Sequence, residues 1–156
     1  MFALDLMAAV ALARGDLASA ERHLDEAVAL DPDLASAWLH LSQLRMGQRR
    51  FRDAEDCVAR ALARGRGDEM MVHFALASLE QIEILGGDAR RFREVLASVR
   101  EQLADSANYW VAVARVESHE GRHEAARQSL ERALALAPDH ADARRLEAMW
   151  GPARSR

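Results

Sequence analysis

Two stretches of the chain, residues 12–33 and 118–139, follow the same residue pattern at a fixed offset. Residues 106 positions apart match in five places: Gly15 and Gly121, Ala20 and Ala126, Leu24 and Leu130, Ala27 and Ala133, and Pro32 and Pro138. Trp38 and Trp110 lie 72 apart, and Ala20 and Ala54 lie 34 apart. One scheme of four units, starting near residues 1, 35, 69 and 107, accounts for these offsets. Such units bury their apolar faces only on their neighbours, so the pattern predicts a repeat array.

Each unit is predicted to contain two helices. In the first unit a helix runs through Ala13, Gly15 ends it in the left-handed conformation, and Asp16 caps a second helix over residues 17–30. The dipeptide at 31–32 stops that helix, because proline cannot continue it. Half of the residues are hydrophobic and only 5% are aromatic, which favours an all-helical chain. Small alanines at positions 20, 54 and 126 allow the paired helices to approach closely, and the tryptophans at 38 and 110 are expected in the core.

The pattern of a large apolar residue, a small residue, a turn glycine, then alanine, a large apolar residue, alanine and proline resembles the tetratricopeptide repeat family. The segments GDLASAERHLDEAVALDP and GRHEAARQSLERALALAP carry it best. The resemblance implies an all-α, right-handed solenoid of about four helix-turn-helix units, near 1–34, 35–68, 69–106 and 107–140, with a capping helix at 141–150. These form one domain over residues 1–150, followed by a tail at 151–156.

The third unit departs from the pattern. Phe92 falls where the small alanine is expected, and the unit is four residues longer than the others. Four residues are close to one helical turn, so the first helix of this unit is expected to lengthen while keeping its buried face inward.

The stretch HEGRH, residues 119–123, fits a pattern that binds zinc in metallopeptidases, where two imidazoles one turn apart share the face of a single helix. In the repeat scheme, however, His119 ends one helix, Gly121 forms the turn and His123 begins the next helix. We therefore predict no metal site, no cofactor and no enzymatic activity.

Composition and charge exclude further classes of function. The net charge of −4 alternates in sign along the chain, from −5 over residues 1–44 to +4 over 45–66, which argues against a nucleic-acid-binding face. All 21 basic residues are Arg, which is typical of a high-GC genome and favours a bacterial source; without Lys there is no P-loop. The lone Cys57 is expected to be a packed residue, and a cytoplasmic location is expected because nothing indicates disulfides. No segment is long enough to insert in a membrane.

The resemblance implies a function in protein–protein interaction, with the first helices of successive units lining a concave groove for a peptide or helix. Its candidate positions are Phe2, Asp5, Ala9, Leu39, His40, Gln43, Met46, Met70, His73, Phe74, Ala77, Asn108, Val111, Arg115 and His119. The carboxylate clamp of chaperone-binding members is absent, since the corresponding places hold Asp5, Ala9, His40, Met70 and Phe74. The main prediction is a non-catalytic scaffold for a protein or peptide partner.

An alternative prediction is an N-terminal repeat domain of a larger enzyme or of a secretion or assembly complex. It is motivated by the apolar first helix, in which Phe2, Leu4, Leu6, Met7 and Val10 have no preceding cap. Self-association through this helix is a further expectation, because an exposed apolar end needs a cover.

Overall fold

The computed structural model describes residues 2–65 and 67–151, except for the side chains of Phe2 and Asp5. Over these residues the chain is all-α with no strand, which confirms the predicted fold class. The helices are α1 (Phe2–Ala13), α2 (Leu17–Leu30), α3 (Ala35–Gly47), α4 (Phe51–Arg64), α5 (Glu69–Leu85), α6 (Ala89–Ser98), α7 (Ala107–His119), α8 (His123–Leu136) and α9 (Ala141–Trp150).

The helices fall into two compact units, residues 1–99 and 100–156. In the first, α1 packs on α2 and α3 on α4, and the first helices follow one another, since α1 contacts α3 and α3 contacts α5. In the second, α7 packs on α8 and α8 on α9. The grouping of residues 1–150 into one domain stays a prediction.

The turns between paired helices share one hydrogen-bonding pattern. An N–H just after each turn donates to a carbonyl five residues earlier, as from Asp16 to Ala11 (2.9 Å) and from Arg122 to Glu117 (2.9 Å). Gly15 and Gly121 both have φ of +75°, which confirms their predicted left-handed role. In the second unit of the repeat the equivalent residue is Arg49, with φ of +59°. Because a side chain in this conformation crowds the following carbonyl, Arg49 holds local strain.

We expect Arg49→Gly to raise the free energy of unfolding by about 1 kcal/mol relative to Arg49→Ala, since only glycine relieves the left-handed backbone. Both variants lack the Arg49 guanidinium and therefore both lose its contact with the Phe51 ring (5.8 Å), so the comparison isolates the effect on the backbone. Urea unfolding followed by circular dichroism measures the difference. The same pair of changes at Arg52, an exposed position inside α4, serves as the control and should show no gain from glycine. Equal stabilities of the two Arg49 variants would contradict this account.

The predicted small residues form the contacts between paired helices. Ala20, Ala54 and Ala126 are buried, with 0%, 0% and 1% of their surface exposed. A methyl side chain there lets two helix backbones approach where a larger group would hold them apart. Phe92, at the expected place of the fourth alanine, is also buried, in the shorter helix α6.

Trp38 and Trp110 occupy matching environments 72 residues apart. Both are buried, which confirms their predicted place in the core. The Trp38 indole N–H donates to the Pro32 carbonyl (2.8 Å), and the Arg60 guanidinium lies 4.6 Å from its ring centroid. For Trp110, the matching acceptor is the Ala104 carbonyl (2.8 Å) and the matching cation is Arg132 (4.6 Å). The same repeat positions therefore satisfy the indole at its polar edge and on its face.

Helix α5 takes up the extra length of the third unit of the repeat. It has 17 residues, whereas α3 and α7 have 13 each, so the added residues extend the helix as predicted. Its buried residues recur at helical spacing through the added turn, ending with Ile82. The lengthened helix therefore keeps one face in the core.

The predicted capping helix is present as α9, which has one fully buried residue, Ala143. Its N-cap is His140: the imidazole Nδ1 accepts the Ala143 N–H (3.3 Å), so Nε2 carries the hydrogen that is donated to the Asn108 side-chain oxygen (2.9 Å). At the other end, the Arg127 guanidinium donates to the carbonyls of Trp150 and Gly151, both at 2.9 Å. A histidine cap and an arginine thus satisfy the ends of this helix.

Candidate partner-binding surface

The HEGRH stretch spans two helices. Helix α7 ends at His119 and α8 begins at His123, with the left-handed Gly121 between them, and both imidazoles are exposed. The spacing that would place two ligands on one helical face is therefore broken. Across the part of the chain that the structure describes, no three His, Cys, Asp or Glu side chains are grouped to hold a metal ion.

Cys57 is a partly buried free thiol. Burial raises its pKa to about 11, against the opposing effects of Arg45 and Arg60. Because the thiolate is the nucleophilic form, this side chain is poorly suited to covalent chemistry at neutral pH.

The surface with the clearest binding character lies on the first helices of residues 1–99. On α5, Met70 and Phe74 have 70% and 56% of their surface exposed. His73, beside them, is also exposed, and its ring meets the Phe74 ring edge to face at 5.8 Å. On the neighbouring α3, Gln43 is exposed and His40 is partly buried. Exposed large apolar side chains grouped on a helix face mark interaction sites.

Two members of the predicted groove belong to the core instead. Leu39 is 8% exposed and Val111 4%, so neither offers a side chain to a partner. Both are aliphatic residues at the edge of the predicted face, where burial is favoured by about 1.5–3 kcal/mol. Helical spacing identifies a face, but it does not indicate how far neighbouring helices cover its edge. Met46 is partly buried and Ala77 exposed. Phe2 and Asp5 were also predicted to line the groove, and their side chains lie outside the described part of the structure.

In residues 100–156 two of the predicted groove residues have intramolecular partners. Asn108 accepts the hydrogen bond from His140, and the Arg115 guanidinium lies 3.7 Å from the Asp142 carboxylate. Both contacts tie α7 to α9. His119, at the end of α7, is exposed. In this unit Asn108 and Arg115 therefore hold the capping helix in place.

The candidate list did not include Ile84, which is 83% exposed near the end of α5. It lies in the added turn, where the aligned units have no equivalent residue. A signal was nevertheless present in the sequence, because Ile84 follows Met70, Phe74 and Ala77 at the spacing of one helix face.

A second feature of residues 1–99 is a polar cleft of about 410 Å³ where the start of α4 meets the α5–α6 turn. Glu55 is 3% exposed and accepts the Asp88 N–H (3.3 Å). Burial raises the pKa of the Glu55 carboxyl, against the opposing effects of that N–H and of the Arg91 guanidinium. Arg91 in turn pairs with Asp56 and, at 3.0 Å, with Glu94. The ion pair of Arg91 with Asp56 and the hydrogen bond between Glu55 and Asp88 fasten the turn and the start of α6 to α4.

Glu55→Gln is expected to change how stability depends on pH. Because folding raises the pKa of Glu55, its contribution to stability is complete below the unfolded pKa and is lost as pH rises through the folded pKa. Glutamine keeps an acceptor for the Asp88 N–H and has no charge to desolvate. The variant should match the unsubstituted chain near pH ~4 and be more stable near pH ~7, as measured by urea unfolding. A difference that is constant over this range would argue against a buried carboxylate that is costly to ionise.

Among the described residues, no helix combines the length and hydropathy needed to cross a bilayer. The chain is thus an all-α helical-repeat protein with an exposed apolar face on α5. A family model described as tetratricopeptide repeat matches residues 39–151, and a second with the same description matches residues 2–44. The chain belongs to the tetratricopeptide repeat family.

Solved structures agree with this fold. A crystal structure of MamA protein superposes with a TM-score of 0.58 at 15% identity, covering 91% of this chain and 75% of that one. A second MamA crystal structure gives a TM-score of 0.56 at 15% identity, covering 88% of this chain and 78% of that one. At this identity the likeness shows the fold alone. No curated protein matches the sequence. Tetratricopeptide repeat proteins are generally non-catalytic scaffolds that bind protein partners, and membership of the family supports a protein-interaction scaffold as the class of function for this chain.

Proposed function

We propose that the chain binds an apolar segment of a partner protein on the first-helix surface of residues 1–99, with Met70 and Phe74 as its centre. The single observation that carries this proposal is their exposure, 70% and 56%, on a helix whose opposite face is buried in the core. Apolar groups of this size are expected to be covered when they act, because each gains about 1.5–3 kcal/mol on full burial.

The neighbouring side chains suit a contact that is apolar at its centre and polar at its edge. His73 lies beside Phe74, and the neighbouring α3 carries Gln43 and His40, so that each offers groups that can donate or accept hydrogen bonds. Methionine is flexible and polarisable, so Met70 can adapt its shape to a partner. Of the sequence candidates, we retain His40, Gln43, Met46, Met70, His73, Phe74 and Ala77 for this role.

A photo-crosslinking amino acid at position 74 tests the proposal in a lysate of the native cells. We expect position 74 to give defined adducts that disappear when Met70→Ser is added. The matched control places the same crosslinker at Ala29, which is exposed on the second helix α2. Adducts that form equally at position 29, or that survive Met70→Ser, would show that this surface is not the binding site.

We propose, secondly, that the chain self-associates through α1. Leu6, Met7 and Val10 are 66%, 51% and 43% exposed, and they form one apolar patch on a helix turn. Sedimentation should reveal a dimer that Leu6→Glu dissociates, because the new carboxylate would be desolvated in the contact. A monomer at all concentrations would leave the patch without this role.

A further inference from the structure

The exposed apolar side chains of α5 form one stripe that extends into its added turn. Met70, Phe74, Ala77, Gln81 and Ile84 are all exposed and follow one another at intervals of 4, 3, 4 and 3 residues. At 100° per residue these five positions stay within a band about 80° wide. We call them the α5 stripe. Ile84 is the most exposed large apolar residue of the described chain, at 83%, and it lies where a repeat of ordinary length has no residue.

The stripe fits a helix better than an extended peptide. Alternating intervals of 3 and 4 residues are the spacing at which side chains of two helices interdigitate. The stripe is about 21 Å long, since 14 residues separate its ends at 1.5 Å each, and a partner helix of four turns spans that length. An extended peptide places alternate side chains about 6.6 Å apart on one face, whereas the stripe and a partner helix both repeat about every 5.3 Å, at intervals of 3 and 4 residues.

The charges of α5 define the chemistry of that partner helix. The helix carries Glu69, Glu80 and Glu83 and neither Arg nor Lys, and its N-cap is Asp68. On a helical projection, Glu69 and Glu80 fall on the same flank of the stripe as His73. A partner with basic residues beside its apolar face would meet these carboxylates, whereas one with acidic residues would be repelled.

We infer that the partner segment is a basic amphipathic helix that lies along α5 and whose last apolar contact is made with Ile84. This inference rests on the proposed function and specifies the partner of that surface. The added turn of the third repeat unit thus serves recognition, because it extends the apolar stripe by one contact.

Three synthetic peptides of about 18 residues test the inference by fluorescence anisotropy on the full chain. The first forms an amphipathic helix with Leu on one face and Arg on its flanks. The second carries Glu in place of each Arg, and the third scrambles the first so that no apolar face remains. We expect the first to bind about tenfold more tightly than either of the others, and its affinity to fall as salt is raised.

Ile84→Ser should weaken binding of the basic peptide about fivefold. It should leave the thermal unfolding temperature of the chain unchanged, because Ile84 is exposed. Ile84→Met keeps an apolar contact and should preserve affinity, while Leu30→Ser, at an exposed site on α2, is the matched control. Equal binding of the acidic or scrambled peptide, or no effect of Ile84→Ser, would overturn the inference. Loss of self-association on Ile84→Ser would also overturn it, since the stripe would then bind a second copy.

The outcomes separate this inference from the proposed function. If the basic and acidic peptides bind equally and Phe74→Ser abolishes both, the surface is a binding site and only the assigned partner chemistry is wrong. If Phe74→Ser leaves the binding of every peptide unchanged, the proposed function itself fails.

Discussion

Trp38→Ala is expected to lower the free energy of unfolding by about 3–5 kcal/mol, the largest effect of any change considered. The substitution leaves a cavity in the core, removes the partner of the Pro32 carbonyl and strips the Arg60 guanidinium of its aromatic surface. Trp110→Ala should have an effect of similar size, because its indole has the same kinds of contacts with Ala104 and Arg132. Urea unfolding followed by circular dichroism measures both variants.

Trp38→Phe separates cavity formation from the polar contacts of the indole. It retains most of the buried ring and should cost about 1–2 kcal/mol, chiefly for the lost hydrogen bond. The control is Phe74→Ala, which removes an aromatic ring of 56% exposure and should change stability by less than about 0.5 kcal/mol. A cost below about 1 kcal/mol for Trp38→Ala would show that the indole is not a core element.

Gly87→Ala is expected to destabilise the chain by about 1–3 kcal/mol through overpacking. A methyl group at residue 87 would lie 2.9 Å from the backbone oxygen of Ile82, 2.8 Å from the Ile82 side chain and 3.0 Å from the Glu55 carboxylate. The Ile82 carbonyl also accepts the Gly87 N–H (2.8 Å), so it cannot move away without breaking the turn after α5. Urea unfolding at neutral pH measures the loss.

Gly47→Ala is the matched control for this change. Gly47 is the last residue of α3, and a methyl group there meets no heavy atom within 4 Å. Alanine at this site should be neutral or stabilising by up to about 1 kcal/mol, because it restricts the unfolded chain. The prediction for Gly87 would be wrong if both variants had the stability of the unsubstituted chain.

Most of the fold was predictable from the sequence because the repeat supplies each signal several times. The end of the first helix at Ala13, the left-handed Gly15 and the helix over 17–30 were all predicted and are all present. Arg49 was not predicted, because the nearby Gly47 would be the obvious candidate for the left-handed position. Hydrogen bonding across the turn, rather than residue type, decides which residue takes it.

The site was less predictable, because exposure depends on the neighbouring helices. The resemblance to the repeat family could place the Met70–Phe74 pair on the groove face, whereas it could not indicate the burial of Leu39 and Val111. The burial of Glu55 could not be predicted from the sequence either, because Glu55 is one of several acidic residues in an amphipathic helix. Its role depends on the Asp88 N–H, 33 residues away, and pairing over that distance has no local signature.

The lengthened α5 has a consequence for how arrays of this kind can vary. Four inserted residues turn a helix by 400°, which leaves a net rotation of only about 40°, so the faces beyond the insertion keep their assignments. One or two inserted residues would instead rotate the rest of the helix by 100–200° and exchange its exposed and buried faces. Length variation among such helices should therefore occur in whole turns, and each added turn can contribute new surface without disturbing the old core.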